Sequence, residues 1–172
     1  PVVIGTFVGG TNGSTPLEIT LNHDADATAV QALMRNITYE NVSENPSTAA
    51  RTVRFVLTDG DGGPSNAETE VITVSAVNDD PTNAGTMPSD RVFLQDTQGK
   101  LDLSPIDLSD VDAGSNYLTL TITSDNGHLQ TLGGVGLTLG GSQNQLILTG
   151  NLTDLNNFLN DKSAIDYKQA TP

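Results

Sequence analysis

Leu17, Ile19 and Leu21 alternate with Glu18 and Thr20, and the same period-two pattern returns at Val53, Phe55 and Leu57, at Ile72, Val74 and Ala76, and at Leu118, Leu120 and Ile122 against Thr119, Thr121 and Thr123. Alternation with many β-branched residues predicts half-buried strands. Asn12-Gly13, Asp59-Gly60-Asp61-Gly62-Gly63-Pro64, Asp125-Asn126-Gly127 and Gly140-Gly141 separate these runs and supply tight reversals, so antiparallel pairing is expected. Two stretches depart from the pattern. Thr28–Met34 and Thr153–Leu159 each open with a threonine suited to capping and carry apolar residues at helical spacing, which predicts one or two helical turns apiece. The fold class expected is all-β.

The same two stretches expose an internal repeat. Leu17-Glu18-Ile19-Thr20, the first capped turn and Ile37-Thr38-Tyr39 recur in order as Leu146-Ile147-Leu148-Thr149, the second capped turn and Ile165-Asp166-Tyr167. After Tyr39 the first copy runs on through two long strands between Arg51 and Val77. The second copy has no such continuation, so residues 1–80 read as the closing part of one repeat and 81–172 as the opening part of the next. The chain is therefore expected to be an internal piece of a longer array; it opens without a signal peptide.

Composition narrows the function. Asp and Glu number 21 against 7 Lys and Arg, a formal net charge of -14, which disfavours nucleic acid and anionic membrane as partners. No apolar run approaches the roughly 18 residues that cross a bilayer, so membrane insertion is not expected. With no cysteine, disulfides, thiolate zinc sites and cysteine nucleophiles are all excluded. Aromatic residues make up 4% and Trp is absent, so cores must be thin and built from Val, Ile and Leu.

Against that background one constellation stands out. Val77-Asn78-Asp79-Asp80-Pro81 and Asp110-Val111-Asp112-Ala113-Gly114-Ser115-Asn116 place oxygen donors at a junction between β-elements. Carboxylates spaced i, i+2 on a loop converge, and oxygen donors without His or Cys suit calcium better than a transition metal. Asp59-Gly60-Asp61-Gly62 admits a second ligand loop or a plain hairpin turn. It is not an EF-hand: Glu70 takes the final ligand position, but Gly63 occupies another and Pro64 stands where the obligatory glycine belongs. Asp24 and Asp26 are expected merely to decorate the loop before the first helical stretch.

Phe55-Val56-Leu57-Thr58-Asp59-Gly60 through Gly63-Pro64, Thr73-Val74 and Asn78-Asp79-Asp80-Pro81 resembles the last two strands and linker of a cadherin repeat, and Asp110–Asn116 resembles the Asp-x-Asp-x-Gly-x-Asn loop that opens the next. Ile37-Thr38-Tyr39-Glu40 and Ile165-Asp166-Tyr167-Lys168 resemble, more loosely, the family's Leu-Asp-x-Glu element. The capped helical stretch makes the chain more similar to the cadherin-like, proteoglycan-type repeats of large bacterial adhesins. The resemblance implies Greek-key β-sandwich units, with Asp79, Asp110 and Asp112 as side-chain calcium ligands, Glu40 as a bridging carboxylate, and Asn78 and Asn116 adding oxygen. Four departures imply fewer ions than the family's full set: Thr38 stands where it has an acid, Lys168 where it has Glu, Asp80 replaces the second Asn of the linker, and that linker is one residue short before Pro81.

Catalytic signatures are missing from the sequence. His23 and His128 sit in no recognised nucleophile or metal-ligand spacing, and Gly133-Gly134-Val135-Gly136 lies between short strands, where it serves turns and close packing instead of a phosphate. The sequons at Asn12, Asn36, Asn41 and Asn151 decide nothing. The expected function is mechanical, not enzymatic: a calcium-stabilised structural or adhesive repeat of a long extracellular surface protein or fibre, with neighbouring repeats of the same or identical chains as partners. The alternative is a cadherin-like carbohydrate-binding module for cell-surface or matrix polysaccharide. It is disfavoured by the shortage of aromatic platforms, since Tyr39, Tyr117 and Tyr167 all read as strand residues.

Overall fold

The computed structural model describes residues 2–58, 63 and 66–169. The chain is all-β, with small antiparallel sheets and, among the described residues, two helices. It divides into two compact units, Pro1–Val42 and Ser43–Pro172, so the Asn78-Asp79-Asp80-Pro81 segment lies within the second. Asp59-Gly60-Asp61-Gly62 and Pro64 fall outside the described residues. None of the helices is long and apolar enough to cross a membrane.

The first unit is an antiparallel pair, β1 (Gly5–Val8) with β2 (Glu18–Leu21), followed by helix α1 (Ala27–Arg35). Asn12 closes the connection between the strands: its Oδ1 accepts from the Ser14 and Thr15 amides at 3.0 and 2.8 Å. The helix is capped by Asp26, not Thr28, with Oδ1 accepting from the Ala29 amide at 2.8 Å. Asp26 is thus a cap and not loop decoration. Carboxylate at a cap also complements the helix dipole, an advantage threonine lacks.

The second unit begins with the pair β3 (Arg51–Phe55) and β4 (Glu68–Ile72). Val74 and Ala76, expected to prolong the second of these strands, lie beyond its end. Short strands β5 (Thr82–Asn83) and β7 (Leu108–Ser109) pair with each other. Two three-stranded sheets complete the unit. One has β11 (Gln145–Gly150) between β10 (Thr138–Ser142) and β8 (Leu118–Thr123); the other has β12 (Ile165–Lys168) between β6 (Gln98–Lys100) and β9 (His128–Thr131). Helix α2 (Leu152–Asn160) follows β11. Both helices run to nine residues, about two and a half turns, longer than the sequence suggested.

Alternation decides the faces. In β8, Thr119, Thr121 and Thr123 are exposed, while Leu118, Leu120 and Ile122 pack on the core. Thr119 and Thr149 stand opposite each other and their hydroxyls meet at 3.2 Å, a cross-strand pair on the solvent face. The core itself is one cluster: Leu146 and Leu148 from β11, Leu129 from β9, Ile165 from β12 and Leu155, Phe158 and Leu159 from α2. Both sheets and the helix therefore share it. The cap of α2 is Asn151, two residues before the Thr153 that the sequence offers. Its Oδ1 accepts from the Asp154 amide at 2.9 Å and its Nδ2 donates to Asp154 Oδ2 at 2.7 Å, a reciprocal arrangement that fixes the first turn.

Gly140 and Gly141 do not make a turn; they belong to β10, and the reversal falls on Gln143 and Asn144. Gly141 has φ 109°, and a Cβ there would stand 2.1 Å from the Gln145 carbonyl oxygen, so glycine is required by the tightness of the hairpin. Of the tyrosines, only Tyr167 is in a strand; Tyr39 and Tyr117 are 46% and 73% exposed in irregular segments. Tyr167 tilts against Phe93 at 4.8 Å between ring centroids, and its hydroxyl donates to the Asn126 carbonyl.

On the outer face, Lys100 Nζ stands 2.9 Å from both oxygens of Asp166, its directly opposed partner across β6 and β12. The hydrogen bond from Lys100 holds the Asp166 carboxyl below the ordinary carboxylate range. A depressed pKa in the folded state means the stabilisation is present above the unfolded value of about 4 and is lost as pH falls through the folded value. Lys100→Met should therefore cost about 0.5 kcal/mol at neutral pH, the scale of a surface pair, and the difference from the parent should vanish in acid titrations followed by circular dichroism. Leu148, with no exposed surface, should give about 3 kcal/mol of destabilisation as Leu148→Ala. In the same denaturant melts, Leu132→Ala, at a fully exposed position, should stay within about 0.5 kcal/mol of the parent.

Candidate metal site

The loop after β7 is shaped by its own first carboxylate. Asp110 Oδ1 accepts from the amides of Asp112 and Ala113, at 3.2 and 2.8 Å, an Asx turn that folds the chain back on itself. The Asn116 amide donates to the Ala113 carbonyl at 2.8 Å, and Gly114 takes φ 55°, so the reversal is complete before β8 begins. Ala113 is buried beneath it.

Strand pairing brings the linker to this loop. β5 and β7 are antiparallel, with Thr82 opposite Ser109 and Asn83 opposite Leu108. Continuing that register outward sets Asp79 opposite Asp112, and there the Asp79 amide donates to Asp112 Oδ2 at 3.1 Å. Asn78 Nδ2 turns back to the Asp79 carbonyl at 2.9 Å. Asp79, Asp110 and Asp112 are all half-buried, whereas Asn78 and Asn116 are exposed. The structure thus joins Asp79, Asp110 and Asp112 through hydrogen bonds and places Asn78 and Asn116 at the flanks. Glu40 belongs to the first unit, exposed in the segment after α1.

Three asparagines that sequence reasoning did not single out hold this arrangement. Asn156 on α2 accepts from the Leu108 amide and donates to the Leu108 carbonyl, both at 2.8 Å, so one side-chain amide satisfies a strand residue as a neighbouring strand would. Asn83 Oδ1 accepts from the Gly85 and Asp107 amides, both at 3.0 Å. Asn45 Nδ2 donates to the Val111 carbonyl at 3.1 Å. No local signal marks them, because an amide that clamps a distant backbone is spelled the same way as one in a turn.

Chemically the donors are all oxygen. Among the described residues, the second oxygen of Asp110 and of Asp112 and both oxygens of Asp79 accept no hydrogen bond, which leaves them available to a hard cation. No group of three or more His, Asp or Glu side chains among those residues is gathered closely enough to hold a metal ion. The donor set therefore fits calcium in kind, while its carboxylates stand apart.

Other polar features carry less. His23 is 90% exposed beside Asp24, 3.3 Å away, and His128 lies within β9. Thr38 is exposed after α1, and Lys168 is the last residue of β12, opposite Gln98 and His128. An open cleft of about 830 Å³ runs along β9 and β12, lined by Lys100, Gln130, Thr131, Asp161 and Ser163 among others, with no aromatic side chain in its walls. Hydrogen bonds from Ser163 hold the Asp161 carboxyl below its ordinary range. No family model, curated protein or solved structure matches this chain.

Because Asn156 bonds both backbone polar groups of Leu108, Asn156→Ala should cost about 1–3 kcal/mol and speed hydrogen exchange at the Leu108 and Ala113 amides in nuclear magnetic resonance measurements. Unchanged exchange at both would mean that β7 and its loop are held by other contacts.

Proposed function

We propose that this chain is a structural, cadherin-like repeat segment of a long extracellular surface protein or fibre, built of Greek-key β-sandwich units and stiffened by calcium. The observation that carries the reading is the hydrogen bond from the Asp79 amide to Asp112 Oδ2, which continues the β5–β7 register and closes the linker onto the Asp110–Asn116 loop. A calcium ion at this place would take oxygens from Asp79, Asp110 and Asp112, with Asn78 and Asn116 near enough in sequence to add carbonyl or amide oxygen. Mutual repulsion in a chain of net charge -14 favours separation of these carboxylates until a divalent cation draws them together. The ion's role in this reading is mechanical: it fixes the linker against the loop and limits how the chain bends there. Neighbouring repeats are then the partners. The carbohydrate-binding alternative gains no support from the cleft along β9 and β12, whose walls lack the aromatic platform sugars stack on.

Ligands that assemble only in the folded state couple binding to stability. At a calcium concentration about 100 times the Kd, one site should contribute roughly 2.7 kcal/mol, read as a rise in melting temperature between chelator and calcium. Asp110→Ala combined with Asp112→Ala should abolish that rise, and Asp24→Ala should leave it intact. A melting temperature indifferent to calcium in the parent chain would reject the calcium reading.

A further inference from the structure

The two units contain the same local device, completed in only one of them. In each, an antiparallel strand pair leads into a nine-residue helix capped by an Asp or Asn. Phe7 faces Ile19 and Thr6 faces Thr20 in the first; Leu139 faces Leu148 and Thr138 faces Thr149 in the second. The apolar residues Val30, Leu33 and Met34 follow the Asp26 cap at the spacing by which Leu155, Phe158 and Leu159 follow Asn151. β2 is therefore the counterpart of β11, and α1 of α2.

Their surroundings differ. β11 is central, with β8 on its second edge: Leu120 faces Leu148, Leu118 faces Gly150 and Ile122 faces Leu146. With that edge covered, Leu148 has no exposed surface, and Leu155, Phe158 and Leu159 are all buried. β2 pairs with β1 alone among the described residues, and α1 buries none of its residues. Phe7 is 69% exposed, Met34 46% and Leu17 41%. Between the β1–β2 pair and the end of α1 lies a mostly apolar cavity of about 410 Å³, reached by the inward side chains of β2, whose walls include Phe7, Leu17, Ile19, Leu21, Leu33 and Ile37. A bare strand edge bordering an apolar cavity is a template for pairing.

We propose that the second edge of β2 and the cavity beside it receive an antiparallel strand of β8's type from another polypeptide segment: uncharged, extended, with large aliphatic side chains alternating with threonines. The register follows from the completed unit. Aliphatic residues of the incoming strand stand opposite Leu17, Ile19 and Leu21, as Ile122, Leu120 and Leu118 stand opposite Leu146, Leu148 and Gly150. Main-chain hydrogen bonds supply the attachment, and the alternating aliphatic side chains select the partner by filling the cavity. Nothing in this pairing involves calcium, so it stands or falls apart from the metal site.

The test uses the whole 172-residue chain in the presence of chelator and a fluorescent peptide of the β8 sequence Asn116–Ser124. Fluorescence anisotropy should show saturable binding, and amide exchange should slow at Glu18–Leu21. Ile19→Lys should weaken binding by at least about tenfold, the cost of setting a charge in the apolar interface. A scrambled peptide with the same composition and no alternation, added to the parent chain, should not bind; this arm does not depend on any variant folding. Equal binding of both peptides, or of neither, overturns the proposal. So does protection at Gln145–Gly150 in place of β2, which would mean the peptide only exchanges with the chain's own β8. Protection at β2 that grows with protein concentration and that the peptide does not displace assigns the edge to a second copy through other elements, and overturns it as well.

Discussion

Leu148 lies where three layers meet. Its strand is flanked by β8 and β10, α2 packs from the same unit, and Leu129 and Ile165 reach it from the second sheet. With few aromatic residues and no disulfide, burial of aliphatic side chains is the main source of cohesion, and each fully buried leucine is worth about 1.5–3 kcal/mol relative to exposure. The fully buried positions, Leu148, Leu155, Leu159 and Ile165, fall within a short stretch of chain. A strand, a helix and a strand in sequence thus supply the centre, and the remaining strands gather on it.

The candidate metal site depends on that centre through α2. Leu155, Phe158 and Leu159 anchor one face of the helix, and Asn156, between them in sequence, takes hold of Leu108. β7 is thereby fixed although it is only two residues long, and β5 pairs with it. The Asp110–Asn116 loop and the Asn78–Pro81 linker are then brought together by register rather than by any attraction between them, which like charges could not provide. Burial of leucines in one place sets the spacing of carboxylates in another.

The alternating strands β2, β3 and β8 were legible in the sequence, as was the recurrence of a strand followed by a capped helical stretch, whereas Ile37-Thr38-Tyr39 forms no strand to match Ile165-Asp166-Tyr167 in β12. Alternation and helical spacing are local patterns, visible without knowing the partner. The caps were misplaced because Asp26 and Asn151 each stand two residues before the threonine and offer better acceptors to the first turn. Gly140 and Gly141 were misread because glycine serves close approach within a hairpin as readily as it serves the reversal itself. At the site, the pairing of linker and loop followed from their motifs, but Asn45, Asn83 and Asn156 could not be foreseen: each acts on a backbone far away in sequence, and long-range register is not written locally.

Gly127 shows how closely three parts of the second unit are tied. It has φ 135°, and a Cβ added there would stand 2.6 Å from the Tyr167 ring, whose hydroxyl is bonded to Asn126 and which also meets Phe93. Enlarging residue 127 would displace the tyrosine; shrinking the tyrosine would remove the ring that Phe93 packs on and the hydroxyl bonded to Asn126. One side chain thus couples the turn before β9, strand β12 and the segment carrying Phe93, so a change of size at any of the three is felt by the other two.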